Sequence, residues 1–272
     1  MMLTDEDVGL VLRCVHEQAG LVFEPEKRYL VENRVEKLAL MRGMETKPLL
    51  QALREGNNEL RAQVAEAMAI QETYFFRDPW FFESLRMDVL PSLIRRRSAE
   101  RSLRIWSAAC ATGQEVWSVA MLLEQIPELA GWDIEIIGSD FSPVALERAR
   151  SGRYSHMEVN RGLPARELAT HFHRRGLEWE VGSTLRRHVR FCAINLIEEW
   201  PQLPRLDIVL LRNVLIYFDA DARREVLQRA RGVMRQDGFL FLGGGESPLG
   251  AVDSFRPGLS GRACYYRLRE DV

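Results

Sequence analysis

The chain has 272 residues, 46% of them hydrophobic, and a formal net charge of -2. That length suits one large domain, or a large domain with a small companion, and the balanced charge gives no support to a general nucleic-acid binder. Four dispersed cysteines with no C-x-x-C pair give no support to zinc ligation or redox-motif chemistry and suit a reducing compartment.

The chain opens on Met-Met-Leu-Thr-Asp-Glu-Asp, which is acidic and unlike a secretory leader. No apolar run approaches the roughly 20 residues that span a bilayer, so the reading is a soluble cytoplasmic protein without membrane insertion. Thr4 followed by three acids predicts a capped helix, with Val8, Val11, Leu12, Val15 and Ala19 on one face and Gly20 as its stop. Pro25 is expected to start a second helix carrying Tyr29, Leu30, Arg34, Val35 and Leu38, ended by Gly43. Leu49, Leu50 and Leu53 mark a third helix stopping at Gly56, and Leu60, Val64, Ala67 and Met68 a fourth. Four short amphipathic helices can bury their stripes against one another as a small bundle.

From about residue 100 the rhythm changes. Apolar runs at Leu103–Ala109, Ile134–Ser139, Asp207–Leu211 and Phe239–Gly243 alternate with helical patterns, including one from Asp219 to about Arg235. Strand–helix alternation predicts right-handed crossovers and a mostly parallel sheet covered on both faces, an α/β fold. The stretch from Tyr154 to Phe191 breaks the rhythm. It reads as an insertion with a helix near Ala165–Phe172 and alternating pieces around Leu177–Val181 and His188–Cys192. His171 and His173 form an H-x-H there with no third ligand nearby in sequence, so a solvated helix face is preferred to a metal site and no metal is expected. Arg95–Arg97 and Arg186–Arg187 read as solvated faces.

Four segments can carry chemistry. Arg104-Ile-Trp-Ser-Ala-Ala-Cys-Ala-Thr-Gly-Gln-Glu115 is a strand, a small-residue loop and a helix start. Small residues such as Ala109 and Gly113 let a ligand approach the backbone, although a plain strand–helix turn explains the segment equally well. Asp140 closes the second run, where an acid can accept from a ribose diol or, with Ser142, open a helix. Leu211-Arg-Asn-Val-Leu-Ile-Tyr-Phe-Asp219 sets Arg212 and Tyr217 after the third run, either beside a ligand crevice or as a paired arginine and a buried tyrosine. Gln71-Glu-Thr-Tyr-Phe-Phe-Arg-Asp78 opens an aromatic cluster that continues through Trp80, Phe81 and Phe82, most of it expected to pack between two domains. Thr73 and Arg77 are its polar exceptions.

In this order and spacing, Glu72–Arg77, Arg104–Glu115, Ser139–Tyr154, Asn195–Leu196, Arg212–Phe218 and Gly243–Glu246 resemble the motifs of the chemotaxis receptor methyltransferase (CheR) family over nearly the whole chain. The family often has Asn at Gln71, Glu-Glu-Pro-Tyr at Gln114–Trp117, Cys at Leu211 and His-Ser at Gly244–Gly245. The resemblance implies a Rossmann-like α/β domain that binds S-adenosylmethionine (SAM), with a small inserted β subdomain, preceded by an all-α N-terminal helical domain. The expected divisions are residues 1–72 for the helical domain and 73–272 for the SAM-binding domain, with 153–192 as the insertion.

The implied activity is methyl transfer from SAM to glutamate carboxylates on the cytoplasmic domain of a methyl-accepting receptor, leaving S-adenosylhomocysteine. By the same resemblance Thr73 and Arg77 reach the methionine end of the cofactor, Glu115 faces its amine, and Gln71 is a further cofactor-binding residue. Ala109 and Gly113 lie along it, and Asp140 holds the ribose. Asn195 and Leu196 border the adenine, with Asn213 nearby. Arg212 and Tyr217 flank the methyl group and the incoming glutamate. A receptor tail peptide is a candidate ligand of the insertion. Family members carry a basic face on the second helix; here Glu32 and Glu36 dilute Arg28, Arg34, Lys37 and Arg42. The rival readings are a nucleic-acid methyltransferase, disfavoured by the lack of any Pro-Pro, a small-molecule carboxyl methyltransferase, and a SAM-binding regulatory module without catalysis.

Overall fold

A computed structural model describes residues 3–24, 27–248, 250 and 252–269. Pro25, expected to open the second helix, lies outside the described residues. The chain divides into two units, Met1–Ile70 with Tyr217–Arg223, and Gln71–Ile216 with Arg224–Val272.

The first unit is helical. Helix α1 (Asp5–Ala19) is opened by Thr4, whose hydroxyl and backbone exchange hydrogen bonds with Asp7 in a capping box. It is followed by α2 (Arg28–Met41), α3 (Thr46–Arg54) and α4 (Asn58–Met68). Val11, Cys14, Val15 and Ala19 of α1 join Leu49, Leu50, Leu60, Val64 and Met68 in the core. The buried stripe of α2 is Val31, Val35, Leu38 and Ala39, at i, i+4, i+7 and i+8. Tyr29 stands about 200° around the helix from Val31, off that stripe, and is 70% exposed.

The second unit begins with α5 (Pro79–Ser84), a π-helical turn (Leu85–Val89) and α6 (Leu90–Arg96). Then come β1 (Ser102–Ala108), α7 (Gln114–Glu124), β2 (Asp133–Asp140) and α8 (Pro143–Ser151). An inserted stretch holds β3 (Arg153–Ser155), α9 (His156–Val159), α10 (Ala165–His171), β4 (Phe172–Arg175), β5 (Glu178–Val181) and α11 (Ser183–Arg186). The rest is β6 (Val189–Ala193), β7 (Leu206–Leu211), α12 (Ala220–Val233, whose first turn falls in the helical unit), β8 (Met234–Leu242), β9 (Phe255–Ser260) and β10 (Ala263–Leu268).

The main sheet has seven strands in the order β6-β2-β1-β7-β8-β10-β9. β6, β2, β1, β7 and β8 run parallel, and the β9–β10 hairpin joins antiparallel through β10. β7 is buried along its whole length, as a central parallel strand covered on both faces must be. A second sheet, β3-β5-β4, is antiparallel and belongs to the insertion. Val189–Ala193, grouped with the insertion by alternation alone, pairs with β2 in the main sheet. Alternation reports a half-exposed strand but not which sheet it joins. The final hairpin had no expectation attached to it.

β1 is the switch point: β2 lies on one side of it and β7 on the other, both parallel, so the connections leave in opposite directions. In open α/β sheets this is where a crevice forms beyond the carboxyl ends of the strands.

The strand beginnings are held by ions. Arg97 donates from Nε to Asp207 Oδ1 (2.8 Å) and from Nη1 to Asp237 Oδ2 (3.0 Å). Asp207, fully buried, also accepts the backbone N–H of Arg104 on β1 (2.9 Å). The Arg97 guanidinium, and after it Arg96, holds the Asp237 carboxyl below the usual carboxylate value against the opposing effect of burial. A depressed folded-state pKa stabilises the fold above the unfolded value of about 3.9, and that stabilisation is lost as pH falls through the folded value. Asp237→Asn should therefore flatten the acid limb of a Tm–pH curve between about pH 5 and pH 2. An acid limb identical to that of the unaltered protein would show that Asp237 does not carry this dependence.

Candidate active site

The loops at the carboxyl ends of β1, β2, β6 and β7 gather most of the residues singled out in the sequence. Arg212, the first residue after β7, is buried with its side chain 2% exposed. Its Nη1 donates to Glu115 Oε2 and its Nη2 to Asp78 Oδ2, both at 2.6 Å. Nη2 also reaches the carbonyl of Arg77 (3.3 Å), and the guanidinium lies 4.2 Å from the centroid of the Phe81 ring. One planar fork thus ties the end of β7 to the start of α7 and to the segment before α5. Glu115 is held a second time, by the hydroxyl of Ser107 on β1 (2.8 Å to Oε1).

Asp140, the last residue of β2, is 6% exposed. Its Oδ2 accepts from Ala111 N (2.9 Å) and its Oδ1 from Ser142 N (3.0 Å). Ser142 is itself the cap of α8, accepting from Ala145 N (3.0 Å). The helix-opening role is therefore present, and the same carboxylate fixes the loop after β1. That loop crosses the end of β2, with Cys110 N donating to Ser139 O (2.8 Å). Ala109, Ala111 and Gly113 all have positive φ (51°, 48° and 91°). A Cβ on Gly113 would stand 2.8 Å from Ala149 Cβ and 3.3 Å from the Tyr154 hydroxyl. Its missing side chain makes room for α8 and for Tyr154, whose hydroxyl donates to Thr112 O (2.7 Å).

Ile194 N donates to Asp140 O (3.2 Å), which brings Asn195 and Leu196 beside the end of β2. Asn195 Nδ2 donates to Glu198 Oε1 (2.9 Å), and Leu196 is buried. Asn213, at φ 59°, follows Arg212. Its N–H and that of Gly243 both donate to Glu246 Oε2 (2.7 and 2.6 Å), and Ile216 N donates to Oε1 (3.2 Å). Glu246 thereby clamps the loop after β7 to the end of β8.

Gln71 and Thr73 line a cleft of about 570 Å³ with Thr112, Gln114, Ala145 and Met157. Arg77 Nη1 donates to Glu72 O (2.9 Å), and its guanidinium lies 5.6 Å from the centroid of Tyr74. Arg161, from the insertion, stacks on the same ring at 4.5 Å and pairs with Glu72 (2.6 Å). The next residue, Gly162, approaches so closely that a Cβ would fall 2.1 Å from Phe75 O. Phe75 is fully buried and meets Tyr154 and Phe172 edge-on at 5.0 and 5.6 Å. The aromatic cluster expected between two domains is therefore packed inside the second unit, because the segment from Gln71 on belongs to it. Trp80 is the exception, 42% exposed.

Tyr217 ends a 3₁₀ turn (Leu215–Tyr217) and falls in the helical unit. His171 closes α10 and sits 3.3 Å from Glu167, while His173 is on β4, so the two histidines do not share a helix face. Among the described residues no group of three or more His, Cys, Asp or Glu side chains is arranged to hold a metal ion. None of their helices is long and apolar enough to cross a membrane.

Sequence reasoning missed Asp78, Ser107 and Arg161, and did not place Glu246 among the site residues. Asp78 and Glu246 stood inside or beside quoted motifs; Arg161 carried no signal at all.

A seven-stranded, mostly parallel sheet with a reversed final hairpin, and loops converging at its switch point, is a Rossmann-like architecture with its ligand crevice beyond the carboxyl ends of the strands. Residues 71–258 match the family described as CheR methyltransferase, SAM binding domain. Chemotaxis protein methyltransferase 1 of Pseudomonas aeruginosa is 35% identical, over 97% of this chain and 100% of its own length. Chemotaxis protein methyltransferase Cher2 of Pseudomonas putida is 33% identical over 89% and 90%. Chemotaxis protein methyltransferase 2 of Vibrio cholerae is 34% identical over 91% and 87%. The chain belongs to the CheR methyltransferase family, and its cofactor is S-adenosylmethionine.

Arg212→Met should lower the unfolding free energy by about 3–5 kcal/mol, because it leaves Glu115 and Asp78 close together without their shared cation. Urea unfolding measures this, and a loss below about 1 kcal/mol would mean the pairs contribute little.

Proposed function

We propose that this protein transfers the methyl group of S-adenosylmethionine to glutamate side chains of a chemoreceptor-type signalling protein, forming methyl esters. In this reading residues 1–72 form a helical domain and residues 73–272 the catalytic domain, with 153–192 as an insertion that is a candidate site for a receptor tail peptide. The reaction takes place in the cytoplasm on the receptor's cytoplasmic domain. The observation that carries the reading is the buried Arg212 held by the partly exposed carboxylates of Glu115 and Asp78 at the sheet's switch point.

The donor set suits the cofactor. Two carboxylates against one guanidinium leave the trio with one formal negative charge, matching a ligand that carries a sulfonium and an ammonium. An ionised carboxylate has about four acceptor positions. Glu115 has one hydrogen bond on each oxygen and keeps capacity for the amine. Asp140, fixed by the N–H groups of Ala111 and Ser142 at the end of β2, serves the ribose hydroxyls. Gln71, Thr73 and Arg77 serve the methionine end, Ala109 and Gly113 shape the loop along it, and Asn195, Leu196 and Asn213 border the adenosine.

The bound cofactor supplies an electrophilic methyl carbon, which passes to a substrate oxygen to leave S-adenosylhomocysteine. A glutamate with a pKa near its ordinary value of about 4.3 is already ionised at pH 7, so the chain needs no general base. Its residues must strip water from that carboxylate and align it; orientation alone can supply roughly 7–11 kcal/mol of a barrier. The Arg212 guanidinium is already engaged by two carboxylates, so in transfer it holds Glu115 and Asp78 and sets the charge of the site. Tyr217 is the group that orients the substrate oxygen.

Incubation with methyl-labelled cofactor and chemoreceptor membranes should give methanol released by base, the signature of a glutamyl methyl ester. Tyr217→Phe should lower turnover about tenfold or more while calorimetric SAM affinity holds. Cofactor binding with no base-labile methanol would favour a docking module instead, and SAM affinity collapsing with single-turnover rates intact would remove the role given to Tyr217.

A further inference from the structure

The stretch from Gln71 to Asp78 carries Thr73 and Arg77, yet it is neither helix nor strand. No ladder of backbone hydrogen bonds fixes it, so its contacts with other segments must. Two of its residues, Phe76 and Asp78, take positive φ (50° and 61°), which persists only where surrounding contacts determine it. Its inner side is held by packing and by α7. Phe75 is fully buried against Tyr154 and Phe172, and the N–H of Phe76 donates to the hydroxyl of Ser118 (3.0 Å).

Its open side meets Arg161 of the insertion. Nη2 of Arg161 donates to Glu72 Oε1 (2.6 Å), and the guanidinium lies 4.5 Å from the centroid of the Tyr74 ring. Glu72 and Tyr74 are the two neighbours of Thr73, so one side chain grips the chain on both sides of it. The hydrogen bond from Arg161 is the chief cause that holds the Glu72 carboxyl below its usual value, so it is ionised in the pair. Gly162 lets the insertion come this close, since a Cβ there would collide with Phe75 O. Gln71, Glu72, Thr73, Tyr74 and Arg161 line the same cleft, and every residue named belongs to the second unit.

We propose that Arg161 is a positioning residue for cofactor binding: through Glu72 and Tyr74 it sets the Thr73–Arg77 stretch that receives the methionine end of SAM. The proposal rests on the reading that Thr73 and Arg77 serve that end. The adenosine is served by other loops, after β2 and β6, which Arg161 does not grip. The pair with Glu72 is exposed, 54% and 59% by side chain, so its loss should spare the fold.

The discriminating ligands are S-adenosylhomocysteine, which keeps the amino-acid end, and 5′-methylthioadenosine, which lacks it. Their affinities are measured by calorimetry on the full chain as Arg161→Ala, Arg161→Lys, Arg77→Met, Glu72→Gln/Tyr74→Leu and the triple variant. Arg161→Ala should weaken S-adenosylhomocysteine about five- to tenfold and leave methylthioadenosine within about twofold. Arg161→Lys keeps the charge beside Glu72 but not the planar group over the ring, and should fall between Arg161→Ala and the unaltered protein. In the Glu72→Gln/Tyr74→Leu background, Arg161→Ala should add less than about twofold, because both groups it acts through are gone.

Unaltered S-adenosylhomocysteine affinity in Arg161→Ala would overturn the proposal, as would an equal loss for both ligands. The same loss in both backgrounds would overturn it too, since Arg161 would then meet the ligand itself. Full affinity for S-adenosylhomocysteine in Arg77→Met would remove the reading of the methionine end and this inference with it. A weakened Arg77→Met beside an unaffected Arg161→Ala would remove this inference alone.

Discussion

The second unit is organised around one buried cation. Arg212 has no water to lean on, so its charge must be met by protein, and Glu115 and Asp78 meet it from two different segments. Both carboxylates are thereby fixed relative to β7. Glu115 cannot swing away, since Ser107 holds its second oxygen, and Asp78, at φ 61°, turns the chain into α5. A lysine could not do this, because an ammonium lacks the planar fork that addresses two partners in set directions. The arrangement places excess negative charge in a partly dry crevice, where an electrostatic interaction with a cationic ligand is worth more than in water.

Around that point the chain uses backbone more than side chains. The loop after β1 takes positive φ at Ala109, Ala111 and Gly113, and Asp140 ties down its Ala111 N–H. Non-glycine residues pay for such conformations, and they persist only where surrounding contacts determine them. Here the contacts are Cys110 N to Ser139 O, Tyr154 to Thr112 O and the packing of α8 on Gly113. The insertion contributes directly, through Tyr154, Phe172, Arg161 and Gly162, all of which bear on the Gln71–Arg77 segment or on the loop after β1. It is therefore part of the frame of that segment and that loop as well as an appendage with its own sheet.

Glu246 fixes the start of the loop after β7 through Asn213 and Ile216. A loop held in this way loses less freedom when a ligand binds, which is how preorganisation lowers the cost of binding.

The sequence by itself determined the elements and the order of the motifs. Hydrophobic periodicity is a local property, and it located the four helices of the first unit and four strands of the main sheet. Six motifs in order identified the family, because a cofactor shared by all members constrains residues at fixed positions along the chain. What it could not determine was partnership. Whether Arg212 faces a ligand or two carboxylates depends on segments more than 90 residues away, and the structure decided for Asp78 and Glu115. Val189–Ala193 reads the same on either sheet, and only its pairing with β2 assigned it. Arg161 and His16 carry no motif; their contacts exist only because folding brings Tyr74 and Asp219 to them, across 87 and 203 residues of chain. Local pattern sets what each segment can become. Which side chain meets which is settled by packing, whose energies arise only when distant segments close on one another.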